Sequence, residues 1–226
     1  MVEHFITILP NVADKLDLLA KATFETIEMV VKAGGISFLL GITLGIILTI
    51  TNKQGISENR FIYQASDKGI NLLRSVPFII LMMCLVPLTR VISGTSIGVE
   101  GAILPLVFGT VPFLARQIET VLADVDKGLV EVGKSMGLSK WEIIVSIYIK
   151  ESISGLARGT TITITSLIGL TAMAGAIGAG GLGNFAIMYG HQRNMPDIVY
   201  VTVLILLMLV TIVQFIGNYI AKKYTH

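Results

Sequence analysis

The chain has 226 residues, of which 53% are hydrophobic and 14% charged, with a mean hydropathy of +0.79. Soluble domains carry about 25% charged residues, so this composition indicates an integral membrane protein, read as one domain over residues 1–226. The net charge of +2 is too small for a nucleic-acid partner, and a single cysteine, Cys84, excludes an intrachain disulfide or a cysteine-based metal site.

The N-terminal stretch MVEHFITILPNVADKLD lacks a basic region and is not expected to be a signal peptide. After Pro10 and Asn11, the residues Val12, Leu16, Leu19, Ala20, Phe24 and Ile27 fall on one face of an expected amphipathic helix. Its balanced acids and lysines place it at a membrane surface. The first membrane span is expected at 23–51, with its strictly apolar part after Lys32, near the ~20 residues a bilayer requires. Gly41 and Gly45 lie four apart inside it, a spacing that lets helices approach closely. A polar loop follows at 52–60, then a helical lead-in at 61–69.

The second span is expected at 70–88, with Arg74 near its start and a kink at Ser75-Val76-Pro77. Met82, Met83 and Cys84 read as soft packing residues. After a loop at 89–96, the third span covers 97–115, with kink points at Pro105 and Pro112 and Glu100 at headgroup depth. The fourth, 156–182, is unusual. Thr160, Thr161, Thr163, Thr165 and Ser166 make one half hydroxyl-rich, and the other half is mostly Ala and Gly. Such a helix belongs against neighbours or a water-filled path rather than in lipid on all sides. Thr163, Ser166 and Met173 are candidates for that path, and packing explains them equally well. A loop at 183–197 leads to the fifth span, 198–220.

Between the third and fourth spans lies a polar, basic segment, 119–150. Its core, EVGKSMGLSKWEIIVSIYIK at 131–150, reads as helix, glycine, helix. Ser139 and Glu142 form an expected capping box, and Trp141, Ile143, Ile144, Ile147 and Tyr148 recur at roughly helical spacing. Gly137 permits a tight turn. The residues leave two readings open: a helix that passes a push to neighbouring spans, or an amphipathic helix on the lipid interface, with Trp141 as an interfacial aromatic.

Five spans put the termini on opposite sides. Twelve of the 17 Lys and Arg residues fall on the side of the Glu131 segment and five on the other. The positive-inside rule therefore places that segment and the C-terminus in the cytoplasm and the N-terminus outside. Gly178-x-Gly180-x-x-Gly183 matches a dinucleotide fingerprint by letter but lacks the strand and βαβ context; it reads as helix packing and a flexible helix end. No Walker sequence occurs, so the chain is not expected to hydrolyse ATP. His4, His191 and His226 show no metal-ligand spacing, and no catalytic, cofactor or metal site is expected. The span centres carry few ionisable groups, which argues against an ion-coupled carrier.

Glu131, Gly137 and Ile147 stand at the spacing of the EAA loop, so this segment resembles that of ABC-importer permeases. Val132 and Gly133 replace its two alanines, and Ile149 and Lys150 its final Leu-Pro. Further blocks, RSVPFIIL at 74–81, PFLARQ at 112–117, AMAGAIGAGGLG at 172–183 and YGHQR at 189–193, are similar to the permeases of bacterial methionine ABC importers. The resemblance implies an all-α type I importer permease of five transmembrane helices in the bacterial inner membrane. It implies a homodimer bearing two copies of an ABC ATPase, which binds the ATP and Mg, and an external substrate-binding lipoprotein. It makes 131–147 the cytoplasmic coupling helix, with Glu131, Gly133, Gly137, Trp141, Ile143, Ile144 and Ile147 as coupling residues, Trp141, Ile143 and Ile144 anchoring it. Methionine, D or L, is the implied substrate, moved by alternating access. Another amino acid or small polar ligand, or a membrane scaffold that transports nothing, are the alternatives.

Overall fold

The computed structural model describes residues 10–224. His4 and His226, and residues 1–9 of the stretch considered for a signal peptide, lie outside the described residues. Helices account for nearly all of that range, and no strand occurs among the described residues. They are α1 Pro10–Ala13, α2 Leu16–Thr51, α3 Arg60–Ser75, α4 Phe78–Ser93, α5 Gly98–Ala123, α6 Lys127–Ser135, α7 Lys140–Ile143, α8 Ile153–Gly175, α9 Gly181–Phe185 and α10 Pro196–Lys223. Two π-helical turns, Ile144–Ile149 and Ala186–His191, continue α7 and α9.

Helices α2, α5 and α10 are long and apolar enough to cross a membrane. The expected second span differs in shape. Pro77 cannot donate a backbone hydrogen bond and holds Val76 extended, so the helix breaks there into α3 and α4. Helix α4 then runs to Ser93, through most of the expected loop. Helix α5 passes through Pro105 and Pro112 and continues to Ala123, beyond the expected end at 115. The fourth element is shorter than expected. Helix α8 stops at Gly175, and Gly178, Gly180 and Gly181 turn the chain at φ +96°, +81° and +73°. The expected loop at 183–197 is largely helical.

The chain divides into two compact units. One comprises the described residues up to Gly35 with Pro77–Val107 and Ile164–Val213; the other comprises Ile36–Val76, Phe108–Thr163 and the described residues from Gln214. In the first unit Val12, Leu19, Ala22, Leu182, Phe185 and Ile198 form a core. The buried face of α2 in this unit is Leu19, Ala22, Thr26, Met29 and Ala33, of which Leu19 and Ala22 enter that core. The expected face was rotated from this: Leu16, Phe24 and Ile27 are exposed, and the amphipathic segment is the first part of the 36-residue α2 rather than a separate helix. The Glu25 carboxylate accepts from the Gly181 amide at 2.8 Å, and the Thr26 hydroxyl accepts from that of Leu182 at 2.8 Å. These bonds satisfy amides at the start of α9 that have no partner within the helix. Lys32 is ion-paired with Glu28 at 2.7 Å and with Glu100.

In the second unit α2 lies directly on α5. A Cβ at Gly45 would stand 2.5 Å from the Ile118 Cβ and 2.9 Å from the Ala115 carbonyl oxygen; one at Gly41 would stand 2.9 Å from the Leu114 Cβ. The small-residue spacing read from the sequence thus has its physical use. Helix α8 packs on α5 in the same way, with Gly155 against Val121 and Gly159 against Gln117. Arg116 ties α3 to α5: its guanidinium pairs with Asp67, donates to Asn71 at 3.0 Å and to Glu119 at 2.6 Å.

Candidate functional site

The segment after α5 is built as two short helices joined by a glycine corner. Asp126 starts α6, its carboxylate accepting from the Gly128 amide at 2.8 Å. Gly137 ends it in the left-handed region at φ +79°, with no atom near the place a Cβ would occupy. The Gly137 amide donates to the Lys134 carbonyl at 3.0 Å, and the Leu138 amide donates to that of Gly133 at 3.1 Å. This pair of bonds is the Schellman arrangement, which needs a left-handed residue at Gly137. Ser139 then caps α7. Its hydroxyl accepts from the Glu142 amide at 3.3 Å while the Glu142 carboxylate accepts from the Ser139 amide at 2.8 Å. The Ser139 side-chain and backbone bonds hold the Glu142 carboxyl below its ordinary range.

Burial sorts the expected coupling residues into two groups. Ile143 and Ile144 are buried, and Ile143 packs with Leu114, Ile118, Leu122, Val130 and Tyr148. Ile147 packs on the same core, and Gly133 lies beneath it: a Cβ there would stand 2.6 Å from the Ile147 Cδ1. These four fasten the segment to its own bundle. Glu131 and Trp141 are exposed, Trp141 at 70%. Of the three residues expected to anchor the segment, Ile143 and Ile144 are buried in its own bundle and Trp141 is exposed. Outward-facing apolar residues are Leu129 and Val132 on α6 and Met136 at its C-terminal cap, with Trp141 and Val145 after the corner. Sequence reading passed over Val132 and Met136. Their signal was available, since 129, 132 and 136 follow the i, i+3, i+7 spacing of one helix face.

Contacts to the loop after α2 were not legible in the sequence. The Lys127 ammonium donates to the Gln54 side-chain oxygen at 2.8 Å and that of Lys140 to the Ser57 hydroxyl at 3.1 Å. Beside these bonds is a cavity of about 410 Å³, with Lys53, Glu119, Lys127, Glu131, Lys134 and Tyr148 in its wall.

On α8, the three candidate path residues are not equivalent. Thr163 is buried and its hydroxyl donates to the Gly159 carbonyl at 2.8 Å, so it is satisfied within its own helix. Ser166 and Met173 are exposed, together with Gly169 between them. Successive steps of three and four residues put them on one face. His191 is exposed, and no group of metal-ligating side chains forms among the described residues.

A family profile described as the inner membrane component of binding-protein-dependent transport systems matches residues 41–226. The chain is 43% identical over 222 residues to the probable D-methionine transport system permease protein MetI of Vibrio cholerae, covering 98% of this chain and 99% of that one. It is 40% identical over 213 residues to the methionine import system permease protein MetP of Bacillus subtilis, covering 94% and 95%. A chain of the MetNI methionine ABC transporter in an inward-facing conformation superposes with a TM-score of 0.92 at 36% identity, covering 94% of this chain and 99% of that one. An amino acid ABC transporter chain superposes at 0.78 with 15% identity, over 95% and 98% of the two chains, and shares the fold. The profile match and the near full-length identities together show that the chain belongs to the inner-membrane permeases of binding-protein-dependent ABC importers, in the methionine branch of that family, and is a permease subunit rather than an enzyme.

Proposed function

We propose that the chain is the membrane-spanning subunit of an ATP-driven methionine importer, carrying D- or L-methionine by alternating access. The observation that carries the substrate is the 43% identity to a D-methionine system permease over 98% of this chain. Five crossings form the bundle, with the N-terminus outside and the C-terminus and coupling segment in the cytoplasm. Two copies of the chain pair around the path, since five helices scarcely enclose a route for an amino acid and two-fold pairing is the commonest oligomeric solution. Two copies of a separate ATPase bind the ATP and Mg, and an external substrate-binding lipoprotein delivers methionine.

The construction of the coupling segment supports this reading. Ile143, Ile144 and Ile147 lock it to the core, and Gly133 lets Ile147 lie close. The Gly137 corner and the Ser139–Glu142 box fix the angle between its two short helices. A segment held this way transmits a push as a rigid body. Glu131, Val132, Met136 and Trp141 present the face that the ATPase grips. Ser166 and Met173 are on the face of α8 that lines the path.

The test is uptake of labelled L- and D-methionine into proteoliposomes holding the permease, its ATPase and its binding protein, with and without internal ATP. ATP-dependent uptake competed only by methionine and close analogues is the expected result. ATP-dependent uptake of a different solute overturns the substrate, and no ATP-dependent uptake by an intact complex overturns the importer.

A further inference from the structure

The cavity under the coupling segment has a chemistry that coupling does not use. It sits where α2 and α5 end, with Thr49 and Glu119 from their last turns in its wall. Both helices are long and apolar enough to span a bilayer, so the wall lies at headgroup depth. Three lysines reach it from two elements: Lys53 after α2, and Lys127 and Lys134 on α6. None of the three is ion-paired among the described residues. Of the two carboxylates in the wall, Glu119 shares Arg116 with Asp67, a group that keeps one net negative charge, so together with Glu131 two negative charges face three ammonium groups. Tyr148 is also in the wall, its residue largely buried and its hydroxyl accessible. Burial pushes the Tyr148 phenol up, so it stays protonated and can donate.

We propose that this cavity binds a phosphate-bearing anion, either the headgroup of an anionic phospholipid or a small phosphate ester from solution. The lysines supply the charge and Tyr148 a hydrogen bond to a phosphate oxygen. The volume, about 410 Å³, is within the ~300–1,000 Å³ typical of small-ligand sites. A bound anion bridges Lys53, at the foot of α2, to Lys127 and Lys134 on α6, so it braces the first coupling helix against the bundle. The proposal rests on the reading that this segment lies at the cytoplasmic surface of an importer.

The test is binding to the full-length purified chain in neutral detergent. The probes are short-chain phosphatidylglycerol, short-chain phosphatidylcholine and glycerol 3-phosphate, each measured by native mass spectrometry and titration. Phosphatidylglycerol should bind more tightly than phosphatidylcholine. A basic side chain near an anionic surface contributes a factor of about five, so Lys53→Gln with Lys127→Gln should weaken binding about thirtyfold. Tyr148→Phe, which keeps the ring in the core, should weaken it about fivefold. Glycerol 3-phosphate bound with the same dependence on these variants assigns the anion to solution; lipid bound alone assigns it to the bilayer. Phosphatidylglycerol binding that neither variant changes, with both variants monodisperse and helical, overturns the site, as does no preference over phosphatidylcholine. Lipid binding needs no transport, so lost uptake with intact binding overturns the importer reading alone, and the reverse overturns this site alone.

Discussion

Gly137 offers a sharp test of how the coupling segment holds its shape. Its φ is +79° and nothing lies within 4 Å of where a Cβ would stand. Side-chain size is therefore irrelevant at this position, and only the backbone conformation matters. An L residue in the left-handed region costs roughly 1–2 kcal/mol, while asparagine enters it readily. Each 1.4 kcal/mol is about tenfold in an equilibrium, so Gly137→Ala should shift the ratio of closed to opened corner about tenfold. Gly137→Val, β-branched, should do more, and Gly137→Asn should remain within about threefold of the parent. An opened corner loses the Gly137 and Leu138 bonds to the end of α6, and with them the fixed angle to α7. The assay is methionine transported per ATP hydrolysed in proteoliposomes, paired with protease sensitivity at 134–140. Coupling should fall in the order Asn, Ala, Val. If Gly137→Asn fails as badly as Gly137→Val, size governs the site and the argument from backbone conformation is wrong; if Val matches the parent, the corner is not needed for coupling.

Replacing Gly45 should separate helices rather than strain the backbone. Gly45→Ala drives a methyl into the rigid Ile118 Cβ and the Ala115 carbonyl and should cost about 1–3 kcal/mol in thermal unfolding, with Gly45→Leu worse; a stable Leu variant refutes the close approach of α2 and α5. Arg116→Met leaves Asp67 and Glu119 without their cation and should destabilise by about 2–3 kcal/mol. Arg116→Lys should recover only part of this, because an ammonium cannot match the fork that reaches three partners; full recovery, read by the melting temperature in detergent, refutes the geometry. Glu142 is held below its ordinary range by Ser139, so the cap's contribution is present above the ordinary carboxyl range and disappears as pH falls through the depressed value. Ser139→Ala should remove that acid dependence from protease sensitivity around α7, and an unchanged pH profile counts against the capping box.

Local features of this protein were legible in its sequence because their causes are local. The capping box needs only Ser139 and Glu142 three residues apart, and the helix stop needs only Gly137. The hydrophobic stretches of α2, α5 and α10 announce themselves by length and composition, and Gly41 and Gly45 by their spacing. Family resemblance over the 172–183 and 189–193 blocks carried the assignment further than periodicity could. The tertiary structure decided which way the apolar residues turned. Leu16, Leu19, Phe24 and Ile27 are alike to a periodicity argument in a membrane protein, since lipid and core are both apolar, and only packing in the first unit selects Leu19, Ala22, Thr26 and Met29 as the inner face. The same ambiguity hid the division between Ile143 and Ile144, which enter the core, and Val132, Met136 and Trp141, which do not. Pro77 marked the break between α3 and α4 from the sequence alone. The Arg116 cluster and the Lys53–Lys127–Lys134 cavity join residues more than forty positions apart, and no linear spacing encodes such a meeting.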